Sequence, residues 1–208
     1  MLGRTPGWAA VVAASLVALV AGGCRGDADP TAAETGAPPA VVELQERWWA
    51  WAASSPTERN PVADTDGRWC DVNQPSDVWF LAGTFGDRVE RNCTVPAGRP
   101  LAFPLVNIVG AEPDCAAFMT DAEGSAVWDG TESEAIRLSG ERVEFEGAPG
   151  NPLTASDGPR SAVSCGLWVQ LPPPDPGRHT LRIRGWAGGF STAVDYTLTV
   201  TEASSTAS

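Results

Sequence analysis

The stretch DVWFLAGTFGDRVERNCTVPAGRPLAFPLVN, residues 77–107, decides how the rest of the chain is read. Val78 to Phe85 is apolar at nearly every position, the pattern of a central strand buried on both faces. Gly86-Asp87 supplies a two-residue turn, and Arg88 to Val95 then alternates, with Val89, Arg91, Cys93 and Val95 on one side. Val95 to Gly98 places Pro second and Gly fourth, as a type I turn favours. Beyond it Leu101, Phe103 and Leu105 alternate, while Pro104 demotes the run to an edge strand or a bulge. The stretch reads as three consecutive strands joined by turns, and packing explains its residues without leaving any for chemistry.

The period of two recurs downstream. AIRLSGERVEFE (residues 135–146) reads as a hairpin around Ser139-Gly140, and residues 166–171, 178–186 and 193–200 read as three more strands. In the last of these Val194, Tyr196, Leu198 and Val200 point one way, and Asp195, Thr197 and Thr199 the other. Upstream, Val41 to Ser54 has an apolar stripe at Val41, Leu44, Trp48 and Trp51, the spacing of an amphipathic helix that Pro56 ends. Trp49 falls off that stripe. The expectation is a mainly β chain: an antiparallel β-sandwich, jelly-roll or immunoglobulin-like, with one N-terminal helix, in a single domain over residues 41–202 followed by a tail over 203–208.

What precedes the domain reads as an export signal. After Arg4, residues 8–20 are an unbroken apolar or small run, too short to span a bilayer but suited to the core of a secretory leader. Ala21, Gly22 and Gly23 then lead into Cys24, as in a bacterial lipobox. Residues 1–23 are therefore expected to be removed and Cys24 to be acylated, which anchors the chain on the extracytoplasmic face of the cell membrane. Residues 24–40 are polar, rich in Ala, Pro and Gly, and read as a flexible tether. The chain has 14 basic residues, all of them Arg, against 26 acidic ones, for a net charge of −12, a balance that argues against nucleic acid as a partner.

With Cys24 acylated, four of the 5 cysteines remain: Cys70, Cys93, Cys115 and Cys165. An even number outside the cytoplasm points to two disulfides, and four cysteines allow three connectivities. Cys70–Cys93 with Cys115–Cys165 is favoured because the first pair brackets one compact unit. As loop closures the two would contribute about 3 and about 4 kcal/mol. A zinc site lacks both the paired-cysteine spacing and a nearby histidine.

The order NPVADTDGRWCDVNQPSDVWFLAGTFGDRVERNCTVPAGRPLAFPLVN followed by GLWVQLPPPDPGRHTLRIRG resembles a family of secreted bacterial proteins of unknown function. Its shared features are a Cys, a Gln, VWFLAGT, a second Cys, VPAG, FP and Asn in that order, with a closing strand carrying LPP and PGxHT. The resemblance covers roughly residues 60–200, more weakly through the middle. It implies export and a β-rich fold, and brings no known activity.

Every Ser-His or Cys-His mechanism must pass through His179, the 1 histidine in the chain. It shares a strand face with Leu181 and Ile183, which predicts a packed, neutral imidazole bonded to backbone, with no acid close in sequence to orient it. Residues 189–193, GFSTA, approach a nucleophile elbow but end in Ala and precede a strand. Asp64 to Gly67 with Asp71 begins like a calcium loop, yet Pro75 stands where the closing glutamate belongs, so a turn held by Asx hydrogen bonds is expected. No phosphate-cradling or dinucleotide glycine pattern is present, and no cofactor or metal is expected. Among the tryptophans, Trp49, Trp69 and Trp186 are left as candidate platforms for a small-molecule or carbohydrate ligand. The expected function is a surface-anchored ligand-binding or structural module. The competing reading is an extracytoplasmic hydrolase using carboxylates or His179.

Overall fold

Strand β3 (Leu101–Gly110) is buried from Leu101 through Val106, on both of its faces, and this double burial organises the architecture. The structure is a computed structural model that describes residues 40–154 and 156–202. The leader over 1–23, Cys24, the tether up to residue 39 and the tail over 203–208 lie outside the described residues. Two sheets form the sandwich. One has the order β1 (Trp79–Phe80), β3, β7 (Gly158–Leu171), β6 (Ile136–Gly147). The other runs β2 (Arg88–Pro96), β9 (Phe190–Thr201), β8 (Gly177–Ala187), β4 (Glu123–Trp128), β5 (Thr131–Ser133). Neighbours are antiparallel except β1 with β3 and β2 with β9.

The inner faces meet in a core that includes Leu101, Phe103, Leu105, Val169, Leu181, Ile183, Val194 and Leu198. A second core lies on the outer face of the four-stranded sheet, beneath helix α1 (Val41–Ala52). There Trp48 meets Trp168 edge to face with centroids 5.7 Å apart, and Trp51 lies 5.7 Å from Phe80. The indole N–H of Trp48 donates to the Leu81 carbonyl at 2.9 Å, and that of Trp51 to the Val72 carbonyl at 2.8 Å. The tryptophans of α1 thus bury their faces with their N–H groups partnered, whereas the buried N–H groups of Trp79 and Trp168 have no hydrogen-bond partner. Disulfides tie Cys70 to Cys93 of β2 and Cys115 of helix α2 (Glu112–Phe118) to Cys165 of β7, with Cα separations of 5.9 and 5.7 Å.

The structure corrects the sequence reading at several points. Residues 78–85 do not form a long strand hairpinned onto the next. Only Trp79 and Phe80 are strand, in parallel with β3, and the chain crosses between sheets at residues 81–87, so Gly86-Asp87 is not a hairpin turn. Side chains replace the missing ladder. Gln74 accepts from the Phe80 N–H and donates to the Phe80 carbonyl. The Ala82 N–H donates to the Tyr196 hydroxyl, and the Thr84 N–H to that of Thr192. Backbone groups buried here must be paired, and these partners come from as far as 114 residues away, so period alone could not reveal them. Ser139-Gly140 is likewise no hairpin but a bulge within β6, where pairing with β7 shifts between Leu138 and Glu141. Pro104 marks a bulge in β3. Helix α2 and strands β4 and β5 had no counterpart in the sequence reading.

That bulge leaves Leu105 out of the ladder, and its carbonyl lies against Gly185 of β8, where a Cβ would come within 2.1 Å of the oxygen. The two sheets approach this closely because Gly185 has no side chain. Gly185→Ala should therefore lower stability by at least the usual overpacking cost of about 1 to 3 kcal/mol, since the obstacle is backbone and cannot rotate away. Urea unfolding would measure it, and an unchanged midpoint would contradict this approach of the sheets.

Candidate functional site

Asp129, Asp175 and His179 come together at the end of the sandwich where β4 turns into β5. A cleft of about 310 Å³ is lined there by Trp128, Asp129, Pro173, Asp175 and His179 among others. Asp129 and Gly130 form the two-residue turn, both with positive φ, at 45° and 85°. The Asp-Gly pair favours such a hairpin turn because both residues tolerate the left-handed region. This dipeptide between Trp128 and Thr131 is the signal that could have found β4 and β5 from the sequence.

The turn aims the Asp129 carboxylate at the start of β8. Its Oδ1 accepts from the Thr180 N–H at 2.7 Å, and its Oδ2 lies 2.7 Å from Nδ1 of His179. The other ring nitrogen, Nε2, lies 2.8 Å from the Asp175 carbonyl. Both partners are acceptors, so the arrangement is fully satisfied only when both nitrogens carry protons. Trp128 stacks on the imidazole with centroids 4.9 Å apart and planes at 21°.

This overturns the expectation of a neutral imidazole without an acid to orient it: the acid is Asp129, 50 residues away in sequence. The hydrogen bond that His179 donates to Asp129 raises its pKa above the ordinary 6.5; burial opposes it, and the bond to the Asp175 carbonyl adds to the rise. Burial pushes Asp129 upward, but the hydrogen bonds from His179 and the Thr180 N–H outweigh it, and its value falls below the ordinary 3.8. The strand-face reading itself agrees with the structure, since Leu181 and Ile183 are buried beneath.

With both nitrogens protonated, the imidazole ties the β4–β5 turn and β8 to the loop that carries Asp175, and neither nitrogen offers a free lone pair. Ser191 of the GFSTA run pairs with Trp186, seven positions along β8 from His179 and so about 23 Å away. The four described cysteines are in disulfides. Asp66, Asp77, Asp129 and Asp195 all shift downward, each against a cationic partner, whereas a glycosidase acid needs its pKa raised. At the calcium-like stretch, Asp64 Oδ1 accepts from the N–H groups of Asp66 and Gly67, and Oδ2 from that of Trp69, so this carboxylate is spent on its own turn.

The three candidate platforms separate. Trp49 is buried between α1, which carries it, and the four-stranded sheet, donating to the Ser164 hydroxyl at 2.6 Å and stacking on Phe145, and it is no platform. Trp69 is half-buried in the loop before Cys70. Trp186 is 45% exposed on the outward face of β8. Comparison with known proteins found no matching family model, no matching curated protein and no matching solved structure.

Since the His179 pKa is raised on folding, its contribution to stability is complete below 6.5 and is lost as pH rises through the raised value. Asp129 contributes fully above 3.8 and loses its share as pH falls through its lowered value. Wild type should thus exceed His179→Gln in thermal midpoint most clearly near about pH 5 and least near about pH 9. A pH-independent difference would show that the imidazole carries no charge.

Proposed function

We propose that the chain is an extracytoplasmic, lipid-anchored β-sandwich module that binds a ligand or builds a surface structure, and that it is not a histidine-dependent hydrolase. The observation carrying this reading is the engagement of both nitrogens of His179, by the Asp129 carboxylate and the Asp175 carbonyl, which leaves no free lone pair for proton abstraction. The leader, Cys24 and the resemblance to secreted proteins support export, and the two disulfides are consistent with an oxidising compartment.

Within sandwiches, the strand orders favour the immunoglobulin-like subtype over the jelly roll. Reading β1, β3, β7, β6 as strands A, B, E, D, and β2, β9, β8, β4, β5 as A′, G, F, C, C′, matches the strand order of a variable-type domain, although β1 runs parallel to β3 where strands A and B would be antiparallel. The disulfides depart from that pattern: neither joins B to F, since one staples a loop to β2 and the other a helix to β7. Such a fold hosts many functions, so the topology supports the architecture and not an activity.

Full-length wild type should partition into the detergent phase, and Cys24→Ser into the aqueous phase or into unprocessed precursor. Wild type in the aqueous phase would refute the anchor. A His179→Gln variant that keeps its fold while losing a measurable hydrolytic activity would make the hydrolase the better reading.

A further inference from the structure

The two outer faces of the sandwich differ. That of the four-stranded sheet is covered by α1, whereas that of the five-stranded sheet is open. Along β8 the outward residues are Arg178, Thr180, Arg182, Arg184 and Trp186, while Leu181, Ile183, Gly185 and Ala187 face inward and are buried. Register sets Trp186 between Ser191 of β9 and Glu123 of β4, on the central strand of the sheet but at its end, next to the turn that joins β8 to β9. Next along the face stands Asp195, whose carboxylate accepts from Arg184 at 2.6 Å and Arg88 at 2.9 Å, with Arg182 at 3.6 Å. Beyond it runs a groove of about 450 Å³ lined by Glu90, Asn92, Thr180, Arg182, Asp195 and Thr197.

The chemistry of this surface selects against most occupants. A lone indole among polar neighbours is not the contiguous apolar patch that marks a protein or membrane contact. Charges of both signs share the face, the carboxylates of Glu90 and Asp195 on neighbouring strands beside Arg182, Arg184 and Arg88, so neither a polyanion nor a polycation finds a uniform field. What fits is an uncharged molecule with apolar ring faces and many hydroxyls at its edges. An exposed indole offers the stacking surface. Carboxylate, guanidinium, amide and hydroxyl groups offer donors and acceptors, and the arginines already fix Asp195, which lowers the ordering cost of using it. From Trp186 to Thr180 the face extends about 20 Å along the strand, the scale of an oligosaccharide and not of one sugar.

We propose that this open face binds a neutral saccharide chain, with one ring stacked on Trp186 and hydroxyls further along bonded in the groove around Asp195 and Arg182. The proposal rests on the binding-module reading and names its ligand class and site. The test is affinity electrophoresis of the full-length protein in detergent through gels containing dextran, mannan, arabinogalactan or hydroxyethyl cellulose, with heparin as the polyanion. At least one neutral polysaccharide should retard it. Trp186→Ala and Asp195→Asn should each weaken that retardation about tenfold or more, a loss typical of a binding hot spot, while Val42→Ala on the exposed side of α1 leaves it unchanged. Retardation that survives both substitutions would overturn the site and leave the binding reading standing. If no neutral polysaccharide retards the protein, or only heparin does, the saccharide is refuted. A shift in tryptophan fluorescence with another ligand class would then keep the broader reading alive, and silence in both measurements would end it.

Discussion

Arg91 is 1% exposed in the middle of β2, and all four acceptors of its guanidinium are uncharged. Nε donates to the Asp64 carbonyl at 2.8 Å, Nη1 to the Ala82 carbonyl and the Tyr196 hydroxyl at 2.8 Å each, and Nη2 to the Val62 carbonyl at 3.1 Å. Bringing a cation out of water costs several kcal/mol, and hydrogen bonds to a charged group return about 1.5 to 3 kcal/mol each, so the arrangement holds only if nearly every donor is used. One side chain thereby fixes two separate pieces of irregular backbone, at Val62 to Asp64 and at Ala82, against β2 and β9. The Tyr196 hydroxyl donates onward to the same Ala82 carbonyl at 2.8 Å, which closes the network.

The consequence is an unusual division of labour. The long segment between α1 and β1 has little regular structure, yet it is buried at Asn60, Val62, Asp64 and Cys70. Its order comes from polar groups reaching into it: Asn60 donates to the carbonyl of Ala52 at the end of α1, Asp64 ties its own turn, and Cys70 is bonded to β2. Helix α1 covers the outer face of the four-stranded sheet and the segment is fastened to β2, while the outer face of the five-stranded sheet is turned to solvent. The burial that stabilises the molecule thus also decides which surface stays open to solvent.

Much of this was legible in the residues, and the exceptions share a cause. Strands β8 and β9 alternate cleanly because one face is buried and the other wet, so period two reports them directly. The 78–85 run misled because double burial looks the same whether the partners are a strand ladder or scattered side chains. Strand β4 was hidden since most of its side chains are only half-buried, so no clear alternation survives in the sequence. At the candidate site His179 was found but its partner was not, because the Asp129 turn and the β8 start meet only through pairing across the sheet. Arg91 did leave a trace: an arginine on the same side as Val89, Cys93 and Val95 is out of place on a buried face.

The buried guanidinium can be examined directly by nuclear magnetic resonance of the intact protein. If Arg91 is held as described, its Nε–H and Nη–H protons should give separate, resolved signals at neutral pH, protected from exchange with water and showing contacts to Tyr196. A single averaged guanidinium signal exchanging as fast as those of the exposed arginines would contradict the account, because the loop, β2 and β9 would then be joined by something other than this cation.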